Sequence, residues 1–523
     1  MHYKEFLKGD VCMELNVKKE LLHISELMFE NTSEQSVDGD ITLPDYCPDI
    51  KRILKCMVSP CLASEQCTGD RVTIDANALV QVIYVDENNE IFCYEKTFPF
   101  SKIVEFGKQI DNSSAEIKMK TAYANTRAVS QRRIDIHASI AICVSILGKK
   151  DVQFVSDASE CGIQLLKNFK DASDFIGQTV KTFTLNEVME IGKSKPPIRQ
   201  IIRQKVTPNL SEIKVITNKL LVKGEVNICI LYCADTSDGG YEIFENTMPV
   251  NQIIDLEGID DKSKHMSKLS LSSFNIVTKA NSSGEKKLLD VSVNLTAIIK
   301  AQKEVENSFP SDCYSTLCNL KSDRKLVSFE KIIDSFEEMI MIKKGEEFTN
   351  TTIGKIINVW CDDVVTTYVC TGDELKILGS TVVSILGKDD AGQPFYAERT
   401  VTFEKIKNIK NGCKDLICNS DANVSAVGFV VTDDNKIDLR VEICLRVSLI
   451  RRNTTELLTD IVCDESKPKT KKYSALTIYF CDDGELVWNI ARKYNTTVEA
   501  IKLENELNEN MIKEKMMLLI PGA

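Results

Sequence analysis

Val72-Thr73-Ile74-Asp75-Ala76-Asn77-Ala78-Leu79-Val80-Gln81-Val82-Ile83-Tyr84 alternates apolar and polar side chains, the period of a strand with one face buried. The pattern recurs as Leu220-Leu221-Val222-Lys223-Gly224-Glu225-Val226-Asn227-Ile228-Cys229-Ile230-Leu231-Tyr232. It recurs again as Leu375-Lys376-Ile377-Leu378-Gly379-Ser380-Thr381-Val382-Val383-Ser384-Ile385-Leu386-Gly387. Aligning Ala76, Gly224 and Gly379 spaces the copies by roughly 150 residues, an ordinary domain size.

A second block follows at nearly the same offsets. It begins Arg133-Ile134-Asp135-Ile136 in the first copy, Leu288-Leu289-Asp290-Val291 in the second and Lys436-Ile437-Asp438-Leu439 in the third. The turn-forming stretches Asp86-Glu87-Asn88-Asn89, Asp235-Thr236-Ser237-Asp238-Gly239-Gly240 and Lys388-Asp389-Asp390-Ala391-Gly392 lead from the first block into another alternating strand. Each copy therefore contains a hairpin. Upstream, Pro48-Asp49-Ile50-Lys51 echoes Pro197-Ile198-Arg199-Gln200 and Ile353-Gly354-Lys355-Ile356 as a crossing segment. The fold class predicted is mainly β: three β-sandwich or barrel-like repeats at 1–160, 161–310 and 311–460, and a small βααβ module at the end.

Composition agrees with ordered chain. Of 523 residues, 43% are hydrophobic and 27% charged, with only 12 prolines and 23 glycines, so three to five cores are expected. A net charge of -12 argues against nucleic-acid binding, which needs clustered cations. Arg132-Arg133 and Arg451-Arg452 read as the solvated ends of strands. Nineteen cysteines, with Cys143, Cys229 and Cys444 inside apolar strand patterns, read as packing residues of a reducing compartment. The start, Met1 to Asp10, has no apolar core for a signal peptide, and no stretch reaches the roughly 18 to 20 apolar residues of a membrane span. A soluble, cytosolic chain without direct membrane insertion is expected.

The residues of reaction chemistry are sparse. The four histidines, His2, His23, His137 and His265, give no zinc-protease pair. Neither a P-loop nor a nucleophile elbow occurs, and Cys229 and Cys233 share one strand face. The recurring Asp135, Asp290 and Asp438 supply one acid per copy where acid–base catalysis needs partners in one cleft. No enzyme, metal or cofactor is predicted.

After Arg452 the composition turns polar, and 461–472, with Asp464-Glu465-Ser466-Lys467-Pro468, is the candidate linker. Residues 473–523 then read strand, helix, helix, strand: Leu476 to Phe480, a helical period through Val487, Ile490, Ala491 and Tyr494, a second helix capped by Thr497, and Met517 to Pro521.

Two resemblances follow from these motifs. Leu43-Pro44-Asp45-Tyr46-Cys47-Pro48-Asp49-Ile50, with the triplication, resembles the SPOCS domain (DUF3794) of clostridial sporulation proteins. Gly484-Glu485, Trp488-Asn489-Ile490-Ala491, Leu503-Glu504-Asn505 and Leu518-Leu519-Ile520-Pro521 resemble a LysM domain, although Glu514-Lys515 stands where the family carries Pro-Gly. Together they are similar to the SipL-like spore-coat morphogenetic proteins. The resemblance implies a scaffold in the mother-cell cytoplasm at the forespore surface, whose partners are the polymerising coat ATPase (stage IV sporulation protein A-like) and other coat proteins. Leu476, Ile478, Trp488 and Ile490 are the candidate partner face or its support. LysM relatives also imply a peptidoglycan groove, here between Asp482, Asp483, Gly484, Glu485 and Leu486 on one side and Asn508, Glu509, Asn510, Met511 and Ile512 on the other.

Overall fold

The computed structural model describes residues 15–107, 114–169, 172–236, 239–305, 308–349, 351–468 and 476–522. The first unit comprises β1 (Asn16–Thr42), β2 (Arg52–Thr68), β3 (Arg71–Val85), β4 (Ile91–Glu105), β5 (Ser114–Ser130) and β6 (Arg133–Ser159). They form two antiparallel sheets, ordered β1-β6-β5 and β2-β3-β4. A short β7 (Ile163–Phe169) precedes the second unit: β8 (Ala172–Glu190), β9 (Ile198–Ile216), β10 (Lys219–Ala234), β11 (Tyr241–Asp255), β12 (Lys264–Ala280) and β13 (Lys286–Val305). Its sheets repeat the order as β12-β13-β8 and β11-β10-β9.

After β14 (Ser308–Ser315), the third unit runs through β15 (Cys318–Glu347), β16 (Lys355–Cys361), β17 (Val365–Thr371), β18 (Glu374–Lys388), β19 (Pro394–Asn408), β20 (Leu416–Asp433) and β21 (Lys436–Pro468). Its sheets are β15-β21-β20 and a group centred on β18, where β16 and β17 share one edge. The break between them falls at Asp362, Asp363 and Val364.

The alternation read from the sequence is the packing. Val72, Ile74, Val80, Val82 and Tyr84 point inward from β3 and meet Ile134, Ile136, Ile140, Ile142 and Val144 of β6. Leu220 to Tyr232 and Leu289 to Ala301 do the same in the second unit, and Leu375 to Ile385 and Ile437 to Leu449 in the third. Each such aliphatic side chain withdrawn from water contributes about 1.5–3 kcal/mol. Asp135, Asp290 and Asp438 lie on the outer side of these strands, one per unit.

The crossing segment corrects the alignment by one residue. The Tyr84 hydroxyl donates to the Pro48 carbonyl at 3.3 Å, and Tyr232 donates to Pro196 at 3.2 Å, so Pro48 corresponds to Pro196, not Pro197. The same register places buried Ile50, Ile198 and Ile353 in equivalent positions. The isoleucine is therefore the anchor, and the proline was the less reliable mark.

Arg132 also differs from its reading as a solvated strand end. Its guanidinium donates to the carbonyls of Pro44 at 2.6 Å, Cys47 at 3.2 Å and Leu43 at 3.3 Å, and to Asp49 at 2.6 Å. One side chain thus satisfies the carbonyls of a tight loop that no strand pairs. Arg451 holds the Lys410 and Gly412 carbonyls in the third unit, and Arg452 pairs with Glu330 at 3.0 Å. Arg132→Ala is expected to cost about 1.5–3 kcal/mol of the first unit's stability, the usual range for hydrogen bonds to a charged group. Urea unfolding followed by the Tyr84 environment would check it.

The three units meet at a hub. Ile83, Leu231 and Leu386, equivalent positions on β3, β10 and β18, join one buried cluster with Ile202, Ile357 and Trp360. Buried Arg203 lies over the Trp360 ring at 4.7 Å from its centroid. Elsewhere β7 and β14, the two joints between units, pair antiparallel with each other. The expected linker 461–472 is paired strand as far as Pro468, because β21 continues against β15; residues 469–472 lie outside the described residues.

Candidate functional site

The C-terminal module is built from β22 (Leu476–Cys481), α1 (Val487–Tyr494), α2 (Val498–Glu504) and β23 (Met516–Pro521). Val487, Ile490, Ala491, Ile501, Leu518 and Ile520 close its core. Thr497 caps α2 by accepting from the Ala500 amide at 3.0 Å. Asn505 ties α2 to β23: its side-chain amide donates to Ile501 and Leu519 carbonyls at 2.8 and 2.7 Å, and its oxygen accepts from the Leu519 amide at 2.6 Å.

The two loops read as groove walls do come together. Gly484 donates to the Ile512 carbonyl at 2.8 Å, Ile512 to Glu485 at 2.9 Å and Val487 to Asn510 at 3.0 Å. Leu486 and Met511 form a β-bridge. These backbone groups are thus occupied with one another. The charged rims are cross-tied as well: Asp482 pairs with Lys515 at 2.9 Å, which raises the lysine pKa, Glu509 pairs with Lys513, and Lys502 donates to Asn510 at 3.1 Å. Tyr479 donates to Glu485 at 3.0 Å, placing beside the loops an aromatic that the sequence reading had not placed there. Asp483 and Asn508 are exposed at the two loop surfaces.

The four candidate partner residues divide. Leu476 and Ile478 are exposed on the outer side of β22, at 46% and 57%, and Phe480 continues the stripe at 76%. Phe480 is opposite Met517 of β23, itself half exposed. Ile490 and Trp488 are buried. Trp488 crosses the Tyr314 ring of β14 edge-on at 4.7 Å, and its indole nitrogen donates to Asp312 at 2.9 Å. Asp312 also accepts from Arg492 at 2.9 Å and from Arg324 at 2.6 Å, while Tyr314 donates to the Thr496 carbonyl at 2.8 Å. The Trp488 side of the module is therefore docked on the repeats, leaving the β22 side facing outward. The sequence signal for this platform was faint: short apolar stretches at the two joints, Ile163 to Leu166 and Cys313 to Tyr314.

Comparison with known proteins agrees with this architecture. Residues 49–128 and 197–277 match the family described as SipL, SPOCS domain, and residues 483–521 match the LysM domain. The SPOCS matches span the middle strands of the first two units and leave out β1, β6, β8 and β13, which complete the sandwiches. The third unit lies outside the matched stretches but repeats the two-sheet order, with the edge strand before β18 split into β16 and β17. Over 49 residues the chain is 39% identical to the probable autolysin SsaALP of Staphylococcus aureus, covering 9% of this chain and 18% of that protein. The chain thus spans less than a fifth of that relative. No solved structure matches. The matched families are non-catalytic binding domains, LysM a peptidoglycan-binding type and SPOCS a sporulation type. No helix among the described residues is long and apolar enough to cross a membrane. The chain accordingly has the SipL-like architecture, SPOCS domains followed by a C-terminal LysM domain.

Proposed function

We propose that the chain is a scaffold for spore-coat assembly, acting in the mother-cell cytoplasm at the forespore surface, with each of the three sandwiches a separate folding domain. Its LysM module recruits the polymerising coat ATPase, a stage IV sporulation protein A-like partner, and the sandwiches add contacts to other coat proteins. The observation carrying this reading is the apolar stripe Leu476, Ile478 and Phe480, exposed on the outer side of β22. An apolar patch of this kind on a charged module suits a protein surface. Groove loops whose backbone groups are already paired with each other favour a glycan less. A polymer presents many copies of the partner, so weak contacts add through effective concentration.

Ile478→Asp with Phe480→Asp is expected to lower retention of the recombinant ATPase by at least about tenfold, the effect of losing roughly 1.4 kcal/mol. Circular dichroism should be unchanged, because both side chains are exposed. Truncation after Lys472 should match the double variant. Undiminished co-purification by the double variant would overturn the assignment. The LysM match also supports a second reading, peptidoglycan binding by the loops at Asp482–Leu486 and Asn508–Ile512. Retention of the full chain on purified peptidoglycan, abolished by Gly484→Trp and not by the β22 variants, would favour it.

A further inference from the structure

Three cysteines from three distant segments converge beneath the β7–β14 platform. Cys161 lies in the turn between β6 and β7, Cys318 opens β15, and Cys463 lies near the end of β21. The Cys318 and Cys463 sulfurs are 2.8 Å apart although 145 residues separate them in sequence. Cys161 interacts with Cys463 as well.

The surrounding backbone is held tightly. Glu160, Cys161 and Gly162 all have positive φ, at 69°, 49° and 59°, so the turn is a forced one. A Cβ on Gly162 would come within 2.3 Å of the Thr316 hydroxyl, so that side chain would have to shift, and the positive φ strains any larger residue there. The Ser315 hydroxyl donates to the Cys161 carbonyl and accepts from the amides of Leu317 at 2.9 Å and Cys318 at 3.0 Å. Thr316 donates to the Gly162 carbonyl at 3.0 Å. Cys318 and Cys463 are only partly buried, so a small oxidant can reach them.

We propose that Cys318 and Cys463 form a reversible disulfide under hydrogen peroxide, and that this bond locks the platform on which the LysM module docks. In the first step one thiolate attacks a peroxide oxygen: the O–O bond breaks, a sulfenic acid forms and water leaves. In the second step the neighbouring thiol attacks that sulfur, the S–S bond forms and a second water leaves. In total two thiols lose two electrons and two protons, and one hydrogen peroxide becomes two waters. A dithiol reductant returns both hydrogens.

The bond would join the first residue of the third sandwich to its last strand. It would thereby fix the turn at Ser315, one residue beyond Tyr314, which the module grips. Burial, then the adjacent thiols of Cys318 and Cys161, push the Cys463 pKa above the ordinary thiol range. The Cys463 thiolate is therefore scarce at neutral pH, and its oxidation should accelerate as pH rises from 7 to 9.

The test is peroxide treatment of the reduced full chain, followed by alkylation, digestion and mass spectrometry without reductant. The expected product is a Cys318–Cys463 linked peptide two hydrogens lighter than its parts, reversed by dithiothreitol. Amide exchange at Leu317 and Cys318 should slow at least tenfold on oxidation. Cys463→Ser should abolish both effects and Cys161→Ser should keep the link. The wild-type measurement needs no variant to fold. Sulfinic acid on Cys463 without a link, or a link that contains Cys161 in place of Cys318, would overturn the proposal.

Discussion

Trp488→Ala is expected to unfold the LysM module and leave the three sandwiches folded. The indole is 7% exposed, fills the module core beside Ile490 and meets Tyr314 edge-on. Truncating such a residue costs about 3–5 kcal/mol through lost burial and the cavity left behind. A module of roughly fifty residues has on the order of 2–7 kcal/mol in total. The loss therefore takes most of the module's stability, whereas the sandwich cores contain no Trp488 contact. Calorimetry should show the module's transition falling below that of the repeats, with the repeat transition unmoved. Trp488→Phe keeps most of the ring contact but loses the donor to Asp312, for about 1–2 kcal/mol. Asp312→Ala separates docking from folding, because it leaves the indole in the module core while removing the acceptor shared by Trp488, Arg492 and Arg324. If Trp488→Ala left the module transition in place, the indole would not be a core residue. Loss of partner binding by Trp488→Ala would not show that the indole touches a partner, whereas loss by Phe480→Asp in a folded chain would.

The strand pattern was legible because a sheet with one buried face writes its period directly into the chain. Val72 to Tyr84 and Arg133 to Ile140 needed only alternation to be placed, and their two copies repeated the message. The proline-marked crossing was placed one residue off in the second copy, because the conserved physical feature is the inward isoleucine and a proline on either side satisfies the eye. Arg132 and Arg451 were read as solvated because a guanidinium that serves carbonyls leaves no pattern in sequence. The same limit hides the strand here: Asp464 to Pro468 is polar, yet Asn319 and Cys318 of β15 pair with Asp464 and Pro468 across more than a hundred residues. At the candidate site the helical period put Ile490 in the core, but nothing local told that Trp488 is buried against Tyr314 and reaches Asp312. Phe480 was passed over for a related reason. In a strand the outward residue is known only when the inward set is known, and Cys481, not Phe480, faces the core.

Arg203→Met is expected to stabilise the hub by about 2 kcal/mol at neutral pH, against the intuition that a buried cation between sandwiches is a clamp. Arg203 is 5% exposed, and burial, the largest influence on it, depresses its pKa from 12.5 to about 10; the fields of Cys229 and Asp362 oppose that only in part. Nearby Lys205 is also lowered by burial and then by Arg203, and Asp362 is raised, again by burial first. For a base, a folded-state pKa below the unfolded value means that the charged form is the one folding penalises. The penalty is complete below about pH 10 and disappears as pH climbs from there towards 12.5. A net depression of this size, with the attraction to Asp362 already counted in it, corresponds to about 3 kcal/mol, of which the contacts that methionine does not replace take back part. Methionine keeps most of the volume over the Trp360 ring, so little cavity opens, and buried ion clusters replaced by apolar side chains of like size are often neutral or stabilising by about 1–4 kcal/mol. Arg203→Ala serves as the contrast, because it removes the same charge yet forfeits the stacking on Trp360 at 4.7 Å and leaves a void; it should destabilise by about 1–3 kcal/mol. The check is the thermal midpoint of the repeats at pH 7.5 and again at pH 9. Methionine should raise it at both, because the arginine is charged at both. A midpoint lowered by methionine as much as by alanine would mean that the cation, through Asp362 and the face of Trp360, holds the three sandwiches together more strongly than its desolvation opposes them.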